Sequence, residues 1–584
     1  MGNYKKDEEI LLYMIKILGL SDSKTESGIA YYKDGKLEFA LNEERVSRKK
    51  LDGGFPYKSL NLFYKYYEYE LESIDQIVFA GVLTPVFISR IFNFLLDLDK
   101  KSIRQDNKSW FDLLYRNINY ILTYNLKLFG SVNPNKRISK FMQRLLKYIL
   151  SQRLHPLLKD KPILFVDHHM CHASAAYFSS GFNESLVASF DGYGDGASGK
   201  IYVAEGKSLK KIFTIDALDS FGLYYSLITE FLGFTPERHE GKVTGLAAYG
   251  NHENVKEKFP FILSKTMKPK YLGKGDIKDL KDIKNKFLQY RKEDVASWLQ
   301  YNIETYVCRI ISYYMGKYCQ NNICLAGGLM ANVKLNQKIS ELEEVKQIYI
   351  YPAMSDAGVS HGAILSLMNK KEVINNIYYG PNYSNQYIEK ILIEKGMNYT
   401  KPNSIANKIA ILLSQGKIIA RFNGRMEYGP RALGNRSILV QATDNSINKI
   451  LNNKLKRTEF MPFAPTILAE YASKCIRGLK KAYLTSKFMN ISFNATDYMK
   501  KTFPAAVHVD GTLRPQILSK NDNKDLYNIL FEYYRLTKNP VILNTSFNMH
   551  EEPIVMTPYD ALRAFKQADL DYLAIGNFII DRFS

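Results

Sequence analysis

His168-His169-Met170-Cys171-His172, followed by Asp191-Gly192-Tyr193-Gly194-Asp195-Gly196, is the stretch from which the rest of the chain can be read. On a helix, His168 and His172 lie four apart and share one face, so both imidazoles can hold one metal ion. His169 cannot share that face with both. The Asp191–Gly196 run reads as a glycine-rich turn, in which small residues let backbone N–H groups approach phosphate. Metal ligands beside a phosphate turn suggest nucleotide chemistry. The chain carries nine His, and three of them fall within these five residues. An HxxxH pair by itself is a weak motif, equally readable as a buried structural pair.

The flanking sequence gives the stretch a context. Upstream, Ile17–Leu20, a polar turn over 21–28, Ile29–Tyr32 and Leu37–Leu41 read as strand, turn and β-hairpin, with Ile77–Ala80 a short buried strand. Strands resume at Ile163–Val166, Leu186–Phe190 and Lys200–Glu205. Downstream, residues 241–250 (GKVTGLAAYG) read as a glycine-punctuated loop with one cation, Lys242. Residues 325–332 read as a strand entering a Gly327-Gly328 turn and then a helix beginning near Asn332, which lets a backbone approach adenine or ribose. Residues 352–358 supply Asp356 in another strand-to-helix turn. Taken in order, these pieces follow the layout of an α/β, actin-like ATPase fold, with metal and phosphate ligands at strand ends. No close internal repeat is visible.

In the second half, cations converge. Arg421, Arg425, Arg431 and Arg436 fall within sixteen residues among glycines, and Lys454, Lys456 and Arg457 follow. The guanidinium fork suits bidentate phosphate binding. Residues 508–515, with Arg514, and 544–548, with Ser546 and Asn548, complete an expected oxyanion pocket.

Bulk properties bound these readings. At 584 residues, two to four domains are expected. The five Cys contain no C-x-x-C pair, which argues against a zinc ribbon or a disulfide framework and leads us to expect a reducing, cytoplasmic setting. No apolar run reaches the roughly 18 residues of a membrane span. The net charge is +21, and residues 100–160 hold 13 Lys/Arg against 3 Asp/Glu. We read 88–160 as a basic helical insertion, either a solvated hairpin or a docking surface.

Four motifs carry a resemblance over nearly the whole chain: DHHMCHASAAY (167–177), GRMEYGPRALGNRS (424–437), HVDGTLRPQ (508–516) and LNTSFN (543–548). They resemble the O-carbamoyltransferase family of nodulation, cephalosporin and tobramycin biosynthesis. The resemblance implies an actin-like carbamoyl-transfer domain over 1–368, a linker at 369–386 and a YrdC-like domain over 387–584. It implies that carbamoyl phosphate and ATP give carbamoyl-adenylate in the second domain. The carbamoyl group would then pass to a hydroxyl of a sugar or natural product at the metal site of the first. By matching motif, the metal ligands fall on His168, His172, Asp191 and Asp356, a set suited to Fe(II) or a similar divalent ion, with Mg2+ available to ATP. Nucleotide contacts fall on Lys242, Gly327, Gly328, Asn332 and Gly194. Carbamoyl phosphate and ATP in the second domain would meet Arg421, Arg431, Lys456, Arg457, Arg514, Ser546 and Asn548.

Departures matter as well. The turn after the first strand reads Thr25-Glu26-Ser27, where the family has a His-Asp-Ser type of turn, so the general base must be another residue. Glu26 and His169 are the candidates. Met461 stands where an Arg is common, and Glu551 where a Gly often precedes Glu-Pro. Family members are often dimers, so a homodimer fits the resemblance. The competing enzyme reading is a threonylcarbamoyl-type tRNA modifier using the basic insertion, although nucleic acid is not the partner these motifs imply. A non-catalytic nucleotide sensor is the third.

Overall fold

The sheets form where the sequence alternates or runs apolar. In the computed structural model, which describes residues 15–82, 137–273, 277–457 and 460–582, β1 (Ile17–Ser21), β2 (Gly28–Lys33) and β3 (Lys36–Asn42) form an antiparallel meander. β4 (Gln76–Ala80) adds in parallel beside β1, and β5 (Ile163–Val166) beside β4, giving the order β3-β2-β1-β4-β5. β1 is buried along its whole length, as expected of a strand covered on both faces. Between β4 and β5, α1 (Tyr57–Tyr66) having preceded them, α2 (Arg137–Ser151) is helical as the insertion reading expects. Residues 152–160 of that expectation hold a 3-10 turn, Pro156–Leu158, and 88–136 lie outside the described residues.

α3 (His168–Ser180) follows β5 directly. Next come β6 (Glu184–Gly194), β7 (Ala197–Glu205) and β8 (Ser208–Asp216), then α4 (Phe221–Phe231) and α5 (Glu240–Leu246). A small hairpin, β9 (Phe261–Leu263) and β10 (Pro269–Tyr271), precedes the long α6 (Lys292–Lys317). β11 (Asn322–Ala326), α7 (Val333–Ser340), β12 (Gln347–Ile350) and α8 (Val359–Met368) finish this half. The second sheet has the order β12-β11-β6-β7-β8. It repeats the first: three antiparallel strands, then two added in parallel beside the first of the three. This doubled mixed sheet is the actin-like architecture, and the repetition is one of topology without similarity of sequence. α3 and α8 cross closely between the sheets, where a Cβ on Gly362 would lie 2.0 Å from the Cys171 carbonyl oxygen.

Two local expectations change. The run 191–196 is not a turn throughout: β6 continues to Gly194, and the reversal narrows to Asp195-Gly196, both at positive φ. Residues 241–250 form α5 and a 3-10 turn, not a loop. Gly245 there serves packing, for a Cβ on it would sit 2.7 Å from the Met461 side chain.

The second half is a mixed seven-stranded sheet. Its strands are β13 (Ile419–Phe422), β14 (Arg436–Gln441), β15 (Ala464–Leu468), β18 (Gln516–Leu518), β19 (Val541–Ser546), β20 (Tyr572–Ile575) and β21 (Phe578–Asp581), and β16 (Phe493–Asn494) pairs β17 (Thr512–Leu513) as a separate ribbon. Of residues 369–386, expected as a linker, 370–384 run as packed coil and Asn385 begins a helix, Asn385–Glu394. Ile374 and Ile377 are buried, the Gly380 N–H donates to the Met426 carbonyl, and the Tyr378 hydroxyl donates to the Leu433 carbonyl. The halves also meet directly, with the Ser492 N–H donating to Val333 O and the Asn336 amide to Asn490 O.

Candidate functional site

Asp167 starts α3 by accepting the Met170 N–H, the hydrogen bond expected of an Asp N-cap. The His168 N–H is taken by Asp195 from the β6–β7 reversal, at 2.8 Å. One turn apart, the His168 and His172 rings then face the end of β6. Each Nε2 lies 3.0 Å from Asp191 Oδ2. Asp191 is oriented through its other oxygen, which accepts the N–H groups of Gly192 and Gly328. Asp356 arrives from the β12–α8 turn, with Oδ1 at 3.4 and 3.3 Å from the two Nε2 atoms. Ser23 of the β1–β2 turn donates to its Oδ2.

Ligand atoms from His168, His172, Asp191 and Asp356 thus lie within 4.8 Å of one another. The group fits a divalent cation. Asp356 Oδ1 is buried without a hydrogen bond, and two imidazole nitrogens with two carboxylate oxygens suit a first-row ion such as Fe(II). Electrostatics agree. Burial pulls the His168 pKa down, but Asp356 and Asp191 outweigh it and hold it at about 9. Burial opposes ionisation of Asp191 too, yet hydrogen bonds from His168 and His172 keep its pKa well below the carboxylate range. A carboxylate held ionised in this way keeps the negative charge that a cation needs.

His169 turns the other way. It is fully buried, with Nδ1 bonded to Ser189 Oγ at 2.8 Å and Nε2 to the Ala197 carbonyl at 3.0 Å. Burial, then the charge of His168, drives its pKa well down, as expected of a neutral imidazole packed against β6 and β7. Glu26 bonds to Ser355 and lies within electrostatic reach of Asp356 and Asp191. It sits at φ +61 in the β1–β2 turn, and burial raises its carboxyl to about 7.

Glu26 also lines a cavity of about 110 Å3 between the halves. Its walls include Lys50 and Ala357 on one side and Ser546 and Asn548 on the other. The space is smaller than the few hundred Å3 of a pocket for a drug-sized ligand, and so suits a small group. Beyond it, Arg457 fans onto Thr545 Oγ1, Ser546 and Asn548 Oδ1, joining three of the expected residues. Arg431 is half-buried, with its Nε buried and unpartnered. Burial, and then the neighbouring Arg514 guanidinium, push its pKa well down, which makes the pair receptive to an anion.

Other sequence candidates do different work. Arg421 donates to the Gly434 carbonyl, Arg425 to those of Glu38 and Tyr379, and Arg436 to those of Asn423 and Asn435, so three of the four clustered arginines fix backbone. Lys456 is exposed beside Arg457. Lys242 is buried on α5. Asn332 caps α7 and exchanges amide hydrogen bonds with Gln300. Gly327, at φ +102, and Gly328 press on β6, where added Cβ atoms would lie 2.1 Å from Phe190 O and 2.8 Å from Asp191 Oδ1. Gly194 gives room to the His168 ring, 2.2 Å from its would-be Cβ. Sequence reasoning gave no role to Ser23, Asp195 or Lys50. The signal for Lys50 was the charge run 43–50 directly after a buried strand.

The His168, His172, Asp191 and Asp356 group thus lies next to a small cavity, through Ala357 beside Asp356, whose other wall carries Ser546 and Asn548. Residues 16–365 match the family described as Carbamoyltransferase N-terminus, and residues 410–582 match Carbamoyltransferase C-terminus. The chain belongs to this family and is a carbamoyltransferase. Among its relatives, the uncharacterized protein MJ1058 of Methanocaldococcus jannaschii is 33% identical over 97% of this chain and 100% of its own length. Nodulation protein NolNO of Sinorhizobium fredii is 30% identical over 94% of this chain and 78% of its own. Nodulation protein U of Rhizobium tropici is 32% identical over 39% of each.

Proposed function

We propose that this carbamoyltransferase is ATP-dependent and works in two steps at the two ends of the cavity, delivering its group to a hydroxyl of a sugar or natural product. The observation carrying this reading is the cavity itself, with Glu26 and Ala357 beside the metal ligands at one wall and Ser546 and Asn548 at the other. In the first step carbamoyl phosphate loses its phosphate to water as inorganic phosphate. The carbamate oxygen then displaces pyrophosphate from the α-phosphorus of ATP, giving carbamoyl-adenylate. Arg431 and Arg514 attract the anionic reactants, and Arg457 holds Ser546 and Asn548 in place to orient them. In the second step the acceptor oxygen attacks the carbamoyl carbon and AMP leaves. His168, His172, Asp191 and Asp356 would hold a divalent cation, which would supply Lewis acidity for this transfer. Glu26, with a carboxyl titrating near 7, takes the acceptor proton.

The test is pyrophosphate release. Purified protein with Fe(II) or Co2+, ATP and carbamoyl phosphate is expected to release one inorganic phosphate and one pyrophosphate per turnover. If no pyrophosphate appears without and with a panel of polyol acceptors, the two-step reading is wrong.

A further inference from the structure

The segment Thr235–His239, between α4 and α5, is fastened in two directions by consecutive residues. Glu237 pairs with Lys24 at 3.3 Å, next to the Ser23 that donates to Asp356. Arg238 donates to the Glu551 carbonyl at 3.0 Å and pairs with its carboxylate. His239 Nδ1 accepts the Thr235 N–H, which leaves the proton on Nε2, and this nitrogen lies 2.9 Å from Glu551 Oε1. From the residues and distances alone, we infer that Glu551 is a positioning residue for carbamoyl transfer, clasping segment 235–239 of the first half to the wall of the Ser546/Asn548 cleft in the second.

Two observations single Glu551 out. It holds φ +63, a left-handed conformation that glycine adopts freely and a glutamate does not, at a place where the motif often has glycine. A side chain kept at such a position is retained for what it touches. It also stands between Asn548 and Glu552, both on the cavity wall, and the cavity-lining Lys50 ammonium is within electrostatic reach of it. The clasp acts on α5, which starts at Glu240 and carries Lys242. The far end of that helix is held to the same half by Gly245 against Met461 and by the Tyr249 hydroxyl donating to the Phe460 carbonyl at 3.3 Å. With both ends pinned, α5 keeps the β1–β2 turn, through Glu237 and Lys24, in register with the wall that carries Asn548 and Glu552, the two sides between which the intermediate would pass. That consequence rests on the two-step reading above, while the clasp itself does not.

The experiment compares the full-length wild type with Glu551→Gln and Glu551→Gly. Amide hydrogen exchange over residues 235–246 is expected to accelerate at least tenfold in Glu551→Gly and by less in Glu551→Gln, whose amide oxygen still accepts from His239. Co2+ affinity is expected to stay within twofold. In single turnovers without acceptor, AMP should lag pyrophosphate in the wild type and appear at least tenfold sooner in Glu551→Gly, as the intermediate meets water. Unchanged exchange over 235–246 in both variants overturns the clasp. Faster exchange with unaltered AMP timing overturns the positioning role. A wild type that releases no pyrophosphate overturns the two-step reading instead, and the exchange rates still decide the clasp.

Discussion

His168 and His172 show how far a single spacing can be read. Four residues apart on a helix is enough to place two nitrogens on one face, and both now meet Asp191 at 3.0 Å. His172→Ala removes one of four ligands, and isothermal titration should find Co2+ affinity at least about 100-fold weaker, with far-UV circular dichroism unchanged. His169 was undecidable from sequence because its role depends on β6 and β7 lying beneath it. His169→Ala should retain the metal but lose about 2–4 kcal/mol of stability, read from the urea midpoint, through the cavity and the unpaired Ser189 and Ala197 groups. Glu26 makes a prediction about pH. Its carboxyl is raised from 4.5 to about 7 by burial, so the native metal-free protein binds the proton more tightly than the unfolded chain does. The associated stability is complete below pH 4.5 and is lost as pH rises through 7, a change of up to about 3 kcal/mol. Glu26→Gln should therefore leave metal-free stability unchanged at pH 4 and raise it at pH 8. An equal effect at both pH values would contradict the buried, protonated state.

Elements explain what the residues alone could not. Hydrophobic runs identified β1, β4, β5 and β11, because strands covered on both faces are continuously apolar. Glycine proved ambiguous. Gly194, Gly327 and Gly328 were read as nucleotide contacts, and each also serves a close approach between elements, a need that depends on partners far away in sequence. Arginine was ambiguous for the same reason, since donors to carbonyls and donors to phosphate look identical in a motif. Gly194→Ala tests the element scale. Its methyl would overlap the His168 ring, so the substitution should move that ring off Asp191 and weaken Co2+ binding at least about tenfold while β6 persists. A variant with wild-type Co2+ absorption would show that the ring has room to spare.

For the whole molecule, the duplication of the sheets was invisible in the sequence because strand order, unlike composition, leaves no local trace. The two halves were separable on paper at 369–386, but Ile374 and Ile377 are buried there and Arg48 donates to the carbonyls of Pro553 and Ile554 across the boundary. We expect one cooperative urea transition for the full chain, and no cooperative transition from fragments 1–379 and 380–584 expressed separately. Two independent transitions would refute the shared core. The hydrogen bonds of Asp195 have a consequence of another kind. One of its oxygens holds both the His168 N–H and the N–H of Val82, the last residue before the stretch 83–136, and the chain resumes through α2, whose Leu146 and Leu150 are buried. The point where the chain leaves β4 and the point where α3 presents His168 are thereby joined through one carboxylate. A change that pulls on the Val82 backbone is therefore transmitted to the start of α3, so the two ends of that excursion are mechanically coupled at Asp195.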